Sequence, residues 1–118
     1  MAETLAPRER IKKKKDFLVL YKKGYRYKSR YFSLIGLSNA LTYSRVGVVA
    51  SRKVGNAVIR NKAKRWMREL FRKNKELLEP PVDLIIVATA AIKDASWPEL
   101  TEIYIQGVGR ILGKKRAP

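Results

Sequence analysis

The two residue types that most often act as nucleophiles, general bases or metal ligands are missing from this sequence. Its 118 residues include no cysteine and no histidine. The chain therefore has no disulfide, no thiol nucleophile, no Cys/His zinc site and no imidazole general base. Long apolar runs are missing too, because the longest, 84–92, is about half of what spans a bilayer. The first residues also lack the apolar stretch of a signal peptide, and we expect a soluble, cytoplasmic protein without a membrane partner.

Negative charge is scarce and unevenly placed. The chain has 27 Lys and Arg against 10 Asp and Glu, a formal net charge of +17. Between residues 17 and 68 there are 13 Lys and Arg and not one Asp or Glu. Because a surface of one sign repels itself, this stretch predicts a polyanionic partner. Nucleic acid is the first candidate, since basic surfaces displace counterions from phosphates. An anionic membrane is the second, and a protein that is simply very soluble is the third.

The N-terminal half predicts one short helix followed by three strands. Residues 1–15 form a basic arm, and Asp16 is the predicted N-cap of a helix over 17–23 that ends at Gly24. Strands follow, which we expect to pair as an antiparallel meander, over 25–28, 31–38 and 45–51.

The clearest element of the sequence is a long helix from about 56 to 74. One arc of it carries apolar residues at helical spacing, namely Ile59, Ala63, Trp66, Met67 and Leu70, with Phe71 at its border. On the opposite arc, Arg60, Lys64 and Arg68 stack one turn apart. Like charges at this spacing repel each other and destabilise the helix. A negatively charged ligand would remove this repulsion.

One more strand and one more helix complete the chain. The apolar run 83–88 predicts a strand that is buried on both faces. Ser96 is the predicted N-cap of a last helix from 97 to about 112, and 113–118 is predicted as a frayed basic tail. The order of elements predicts one α+β domain over residues 1–118.

The junction between the third strand and the long helix has a distinctive sequence. It consists of a K-x-G-N-A-V turn at 53–58 followed by an R-N-x-x-K-R-x-x-R helix at 60–68. With these motifs the chain resembles the protein component of bacterial ribonuclease P. The K-D-F-x-x-x-Y segment at 15–21 and D-L-I-I-V-A at 83–88 extend the resemblance over most of the chain. Lys62 departs from the arginine that the family often has, and lysine lacks the forked geometry of a guanidinium.

The resemblance implies a fold, an activity and partners. The implied fold is a four-stranded sheet flanked by helices in the order α-β-β-β-α-β-α, similar to a ribosomal protein, with an unusual left-handed βαβ crossover. The implied function is that of the ribonuclease P protein subunit, which assists an RNA catalyst in removing the 5′ leader of precursor tRNA. The partners would be the catalytic RNA and the precursor tRNA, and no protein partner is evident. The chain itself would bind no cofactor, and Mg²⁺ would be required by the RNA partner.

The resemblance also implies two RNA-contacting surfaces. The long helix and the turn before it would bind the catalytic RNA, using Asn56, Arg60, Asn61, Lys64, Arg65 and Arg68, with further basic contacts from Arg52 and Lys62. A cleft between the first helix and the sheet would bind the single-stranded leader, since stacking on aromatic rings plus a basic groove suits single strands. Its residues would be Phe17 and Tyr21 for stacking, Tyr31 or Ser33 on the facing strand, and Lys53 for phosphate.

Several alternatives stay open at this point. The basic helix face could be an ordinary solvated face, and Phe17 an ordinary core residue. A non-catalytic RNA-binding protein of ribosomal type would share the charge and the sheet. A helix-turn-helix DNA-binding protein would need a second short helix before the long one, where this sequence predicts a strand and a turn. A membrane-surface helix would need the apolar face that the core requires.

Overall fold

A computed structural model of the protein describes residues 5–116, and for residues 114–116 only their backbone. The helices and strands of this part are α1 (Lys14–Lys23), β1 (Tyr25–Lys28), β2 (Phe32–Ser38), β3 (Arg45–Val49), α2 (Ala57–Lys73), β4 (Val82–Ala88) and α3 (Trp97–Arg116). Short 3-10 turns lie at Pro7–Glu9, Arg52–Val54, Lys75–Leu77 and Ala90–Asp94. Among these helices, none has the length and apolar character needed to cross a bilayer.

The position of β4 inside the sheet corrects the predicted meander. The strand order is β1-β2-β4-β3. β2 pairs antiparallel with both β1 and β4, whereas β3 pairs parallel with β4. The meander prediction is therefore wrong, because β3 is not a neighbour of β2. A strand that is apolar on both faces is best placed between two other strands, and the predicted burial of β4 on both faces is confirmed.

The predicted fold class, an α+β domain with four strands flanked by helices, is confirmed. α2 leads from β3 to β4, so these two parallel strands and the helix between them form a crossover unit. The left hand of this crossover, implied by the resemblance, stays a prediction.

Both faces of the sheet pack against helices. The larger core lies between one face and the helices α2 and α3, and it includes Phe32, Leu34, Met67, Phe71 and Tyr104. The smaller core lies under α1 on the other face, and it consists of Ile11, Leu20, Ile35 and Ile85 with partly buried neighbours. The two faces therefore present different residues of the same strands, as period-2 alternation requires.

The N-terminal boundary of α1 differs from the prediction. The helix begins at Lys14 with Lys13 as its N-cap residue, so Asp16 lies inside the first turn. Its carboxylate lies 3.6 Å from the guanidinium of Arg45 on β3. Asp16 therefore joins α1 to the sheet, and the prediction of Asp16 as N-cap is wrong, because a tertiary ion pair outweighs the local capping preference.

The predicted basic arm is partly docked. Arg10 forms a parallel bridge with Val46, and the Ile11 N–H donates to the Val46 carbonyl at 2.9 Å. The side chain of Ile11 is only 5% exposed, so its burial holds the arm along the edge strand β3. Lys14 and Lys15 belong to α1, and the first four residues of the arm lie outside the described residues.

The C-terminal helix is longer than predicted. The Ser96 cap is confirmed, because its Oγ accepts from the Glu99 N–H at 3.3 Å and Glu99 Oε1 accepts from the Ser96 N–H at 3.0 Å. α3 continues beyond Gly113 to Arg116, so the predicted end of the helix near residue 112 is too early, and the frayed basic tail stays a prediction. The last two residues of that predicted tail lie outside the described residues.

Candidate nucleic-acid interface

The turn that starts α2 is built by two residues of the K-x-G-N-A-V motif. Gly55 has a φ of 153°, a backbone conformation that side chains with a Cβ rarely adopt. Asn56 then caps the helix, because its Oδ1 accepts from the Ile59 N–H at 3.0 Å. The side-chain oxygen of Asn56 is thus engaged in capping, and a phosphate contact of this residue stays a prediction. Arg52 and Lys53 are exposed in the 3-10 turn just before it.

The basic face of α2 consists of Arg60, Asn61, Lys64, Arg65 and Arg68. The column of Arg60, Lys64 and Arg68 is half-buried, and the other two side chains are exposed. Among the described residues, none of the four cationic side chains of this face has an ion-pair partner. The positive charge of this face is therefore not compensated by carboxylates of the described chain. This favours a face that binds an anion such as RNA over the alternative of an ordinary solvated face.

The surroundings of Arg68 oppose its positive charge. Burial lowers the pKa of its guanidinium, and the positive charge of Arg10 lowers it further. The guanidinium of Arg60 is also incompletely satisfied, because its Nε is buried without a hydrogen-bond partner among the described residues. A phosphate at this face would offset both the desolvation and the repulsion.

Two arginines beside this face, Arg10 and Arg72, were not among the predicted RNA-binding residues. A depression of about 200 Å³ is lined by Leu5, Arg10, Arg65, Arg68, Glu69 and Arg72. Arg72 holds Glu69 through two hydrogen bonds of 2.7 and 2.6 Å, and this contact lowers the pKa of the Glu69 carboxyl. Helical spacing alone places Arg72 on the basic arc of α2, whereas Arg10 lies here only because the arm docks on β3.

Lys62 points away from the arginine column. Its Nζ lies 5.2 Å from the ring centroid of Trp66, on the side of α2 that faces α3. The structure therefore does not bring Lys62 together with the basic face, which is consistent with its departure from the family pattern.

The predicted leader cleft is formed by α1 and the sheet face under it. Phe17 is half-buried and rests on Gly47 of β3, so closely that a Cβ there would lie 2.7 Å from the phenyl ring. Glycine is required at this position for the ring to reach the strand. Phe17 thus packs against the sheet and also remains half-exposed at the edge of the cleft.

On the sheet face that packs against α1, four residues from the four strands are aligned in one row. Lys28, Ser33, Val87 and Val49 lie opposite one another across the four strands. Ser33, Val87 and Val49 are half-buried and Lys28 is exposed. We call this set the leader row. Ser33 lies on the sheet face that packs against Phe17, as predicted. Lys28 is its neighbour through the pairing of β1 with β2, whereas Val87 and Val49 join the row only through the pairing of β4.

Tyr21 lies one helical turn after Phe17 and is 38% exposed. The guanidinium of Arg26 lies 5.9 Å from its ring centroid and donates a hydrogen bond to its backbone carbonyl. Arg26 is opposite Ile35 in the register, so it lies on the same sheet face as the leader row. The pair places an aromatic ring and a cation at the end of α1.

Tyr31 does not belong to the leader cleft. It is 4% exposed and part of the core between the sheet and α3, where its hydroxyl donates to Glu99 Oε2 at 3.1 Å. The prediction of Tyr31 as an alternative to Ser33 is therefore wrong. Tyr31 precedes β2 instead of lying within it, so the strand alternation used to assign its face does not apply.

Comparison with known proteins gives one consistent result. A protein-family model described as Ribonuclease P matches residues 5–112. The chain is 41% identical to the ribonuclease P protein component of Thermotoga maritima over 87 residues, 74% of each chain. It is 33% identical to that of Streptococcus pneumoniae (strain Hungary19A-6) over 110 residues, 85% of this chain and 89% of the other.

Solved structures agree with the sequence relatives. The structure of the Thermotoga maritima RNase P protein superposes with a TM-score of 0.78 at 33% identity, covering 88% of this chain and 98% of that one. The Staphylococcus aureus RNase P protein gives 0.74 at 33% identity, covering 92% and 95%. The interpretation as a different ribosomal-type protein is thereby set aside, and this chain belongs to the ribonuclease P protein family.

Proposed function

We propose that this chain uses its two basic surfaces for two different RNA molecules. As a member of its family it is a subunit of the ribonucleoprotein enzyme that cleaves tRNA precursors, working with the ribonuclease P RNA and binding precursor tRNA. The basic face of α2 would bind the catalytic RNA, with Arg52 and Asn56 at its start. The leader row, with Phe17 and Tyr21 for stacking and Lys53 for phosphate, would bind the 5′ leader.

The observation that most supports this division is where the two surfaces lie. The basic face belongs to α2, which packs on one side of the sheet, whereas the leader row and α1 lie on the other side. Two polyanions could therefore contact the protein together without competing for the same side chains. The carboxylates described on the α1 face, Asp16 and Asp83, are both held by Arg45, Asp83 at 2.6 Å and Asp16 at 3.6 Å.

We propose that the catalytic RNA, and not this chain, carries out the cleavage of the phosphodiester bond. Among residues 5–116, no three carboxylates, histidines or cysteines lie together as a metal-binding cluster would require. Glu9, Glu69 and Asp83 each bind a cationic side chain of this chain. We therefore propose that Mg²⁺ is held by the RNA partner and that this chain binds no cofactor. Family membership also supports a location in the cytoplasm.

The α2 surface is tested by assembly with the catalytic RNA across a salt titration. Arg65→Ala/Arg68→Ala should weaken assembly and reduce the slope of log K against log salt by about 0.9 for each phosphate that the variant no longer binds. A matched control, Lys12→Ala/Arg110→Ala, removes the same charge from exposed positions outside α2. If the two double variants respond alike, the basic face has been assigned wrongly.

The leader surface is tested by precursor tRNA affinity as a function of leader length. Tyr21→Ala removes an exposed stacking partner, and about 1–3 kcal/mol of affinity per stacked base should be lost only with leader-bearing substrates. Lys28→Ala removes a cation from the leader row without touching a core. Equal affinity loss for substrates with and without a leader would contradict the assignment.

A further inference from the structure

A groove between α2 and α3 lies outside both proposed surfaces. Its first depression, of about 290 Å³, is lined by Ile59, Lys62, Ala63, Trp66, Ile92, Lys93 and Ala95. Its second depression, of about 310 Å³, is lined by Trp66, Glu69, Lys73 and Trp97. Because Trp66 lines both depressions, they form one continuous surface, which we call the indole groove.

The groove occupies its own side of α2. Ile59, Lys62, Trp66, Glu69 and Lys73 follow each other at spacings of three and four residues, so they line one edge of the helix. That edge faces the start of α3 and the 3-10 turn before it, not the arginine column. The groove is therefore a separate surface, and it is adjacent to the basic face along the same helix.

The aromatic content of the groove is concentrated in two rings. Trp66 and Trp97 are in edge-to-face contact, with ring centroids 5.7 Å apart and an interplanar angle of 84°. Both side chains are half-buried, so each indole is anchored by the core on one side and accessible on another. Rigid aromatic platforms of this kind are what unpaired bases stack on.

Cations surround the two indoles. The ammonium of Lys62 lies 5.2 Å from the Trp66 ring centroid, and that of Lys73 lies 5.9 Å from the Trp97 ring centroid. Lys93 adds a third, exposed ammonium to the first depression. Glu69 is the carboxylate of the second depression, and Arg72 neutralises it through two short hydrogen bonds. The groove thus combines apolar aromatic surface with positive charge.

We propose that the indole groove is a further RNA-binding site, which accepts unpaired nucleotides by stacking bases on the indoles and holding phosphates with the lysines. Charge complementarity favours this occupant over an apolar peptide, which would gain nothing from three ammoniums. In the unbound protein Lys62 and Lys73 lie over the indole rings. On binding they move to the phosphates and expose the rings to the bases.

The sequence offers a reporter for this site. The chain contains only two tryptophans, and both line the groove. Selectively excited tryptophan emission therefore reports on the groove, without contribution from the leader row. A short single-stranded oligoadenylate, added at low salt, should change this emission saturably.

Two charge-matched variants decide the assignment. Lys93→Gln should weaken oligoadenylate binding severalfold and reduce its salt slope by about 0.7, the value for one phosphate contact with a single strand. Lys12→Gln removes the same charge from an exposed position on the docked arm and should leave the emission titration as in the wild type. Urea unfolding of both variants checks that their folds are equally stable.

Three results would overturn the proposal. The first is oligoadenylate binding, seen by anisotropy, without any change in tryptophan emission. The second is an equal loss of affinity in Lys93→Gln and Lys12→Gln. The third is an acidic peptide that changes the emission at the same concentration as the oligonucleotide, which would indicate a protein partner. None of these results depends on whether the basic face binds the catalytic RNA, because that surface has its own salt titration.

Discussion

Adding a single methyl group at Gly47 should weaken the proposed binding of the leader and leave the proposed binding of the catalytic RNA unchanged. A Cβ built on this residue would lie 2.7 and 2.8 Å from two carbons of the Phe17 ring. Ordinary contact begins near 3.4 Å, so in Gly47→Ala the ring must retreat by about 0.7 Å or the strand must bend. Overpacking of this kind costs about 1–3 kcal/mol of unfolding free energy.

Loss of leader affinity should accompany this loss of stability. Phe17 borders the leader row, so its displacement should weaken precursor tRNA binding in a way that depends on leader length. Assembly with the catalytic RNA should follow the wild-type salt titration, since α2 lies on the other side of the sheet. Urea unfolding, leader-length titrations and the salt titration measure the three quantities on the same protein preparation.

A second glycine-to-alanine change supplies the control. Gly109 lies in α3, and a Cβ there would meet no atom within 4 Å. Gly109→Ala should therefore stabilise the protein by about 1 kcal/mol through helix propensity, which raises the Tm by about 4 °C. The leader-length dependence should not change in this variant.

A double-mutant cycle makes the test decisive. In Phe17→Leu the smaller side chain leaves room for the new methyl group, so adding Gly47→Ala to Phe17→Leu should cost clearly less than adding it to the wild type. Additive effects, or a Gly47→Ala protein with wild-type stability, would refute the claim that the ring rests on this glycine.

Three further variants test the local structure. Asn56→Ala should cost about 1 kcal/mol in urea unfolding because α2 loses its N-cap, and Asn56→Ser should restore most of it. Asp83→Asn should destabilise the protein more than Asp16→Asn, because Asp83 binds Arg45 at 2.9 and 2.6 Å and also accepts from Asn39. Hydrogen bonds from the Ser96 N–H and Oγ and from the Tyr31 hydroxyl lower the pKa of Glu99 below its usual 4.5. Glu99→Gln should therefore lose stability relative to wild type above pH 4.5, and the difference should disappear as the pH falls through the lowered pKa.

Local signals in the sequence are sufficient for much of this fold. The predicted bounds of α2 agree with the structure within one residue at each end, because Asn56 is a strong cap and the apolar stripe is long. Three of its four buried residues, Ala63, Met67 and Leu70, belong to the predicted apolar arc, and the fourth, Phe71, lies at its predicted border. The apolar run of β4 predicts that strand, and the position of Ser96 before Pro98 and Glu99 predicts its cap. Each of these features is encoded within a few residues.

The features that could not be predicted from the sequence depend on contacts between residues far apart in the chain. The parallel pairing of β3 with β4 depends on the crossover through α2, which no local pattern reports. Asp16 has the chemistry of an N-cap, and only the approach of Arg45 makes it an ion-pair partner. Tyr31 has the spacing of a leader residue, and only the packing of α3 turns it toward Glu99. The leader row likewise exists only once four strands are aligned.

The alignment of the four strands also shows how carboxylates can lie on the sheet face that we propose for the leader. Asp83 and Val87 are four residues apart on β4, which is about 13 Å along a strand. Arg45 neutralises Asp83 at one end of the face, while Val87 lies opposite Ser33 at the other end. Because the Arg45 guanidinium holds the Asp83 carboxylate through two hydrogen bonds, the pair presents little net negative charge to the leader row. Breaking the pair with Arg45→Gln should reduce stability strongly but leave the salt slope of leader binding nearly unchanged, because the slope depends on Lys28 and its neighbours.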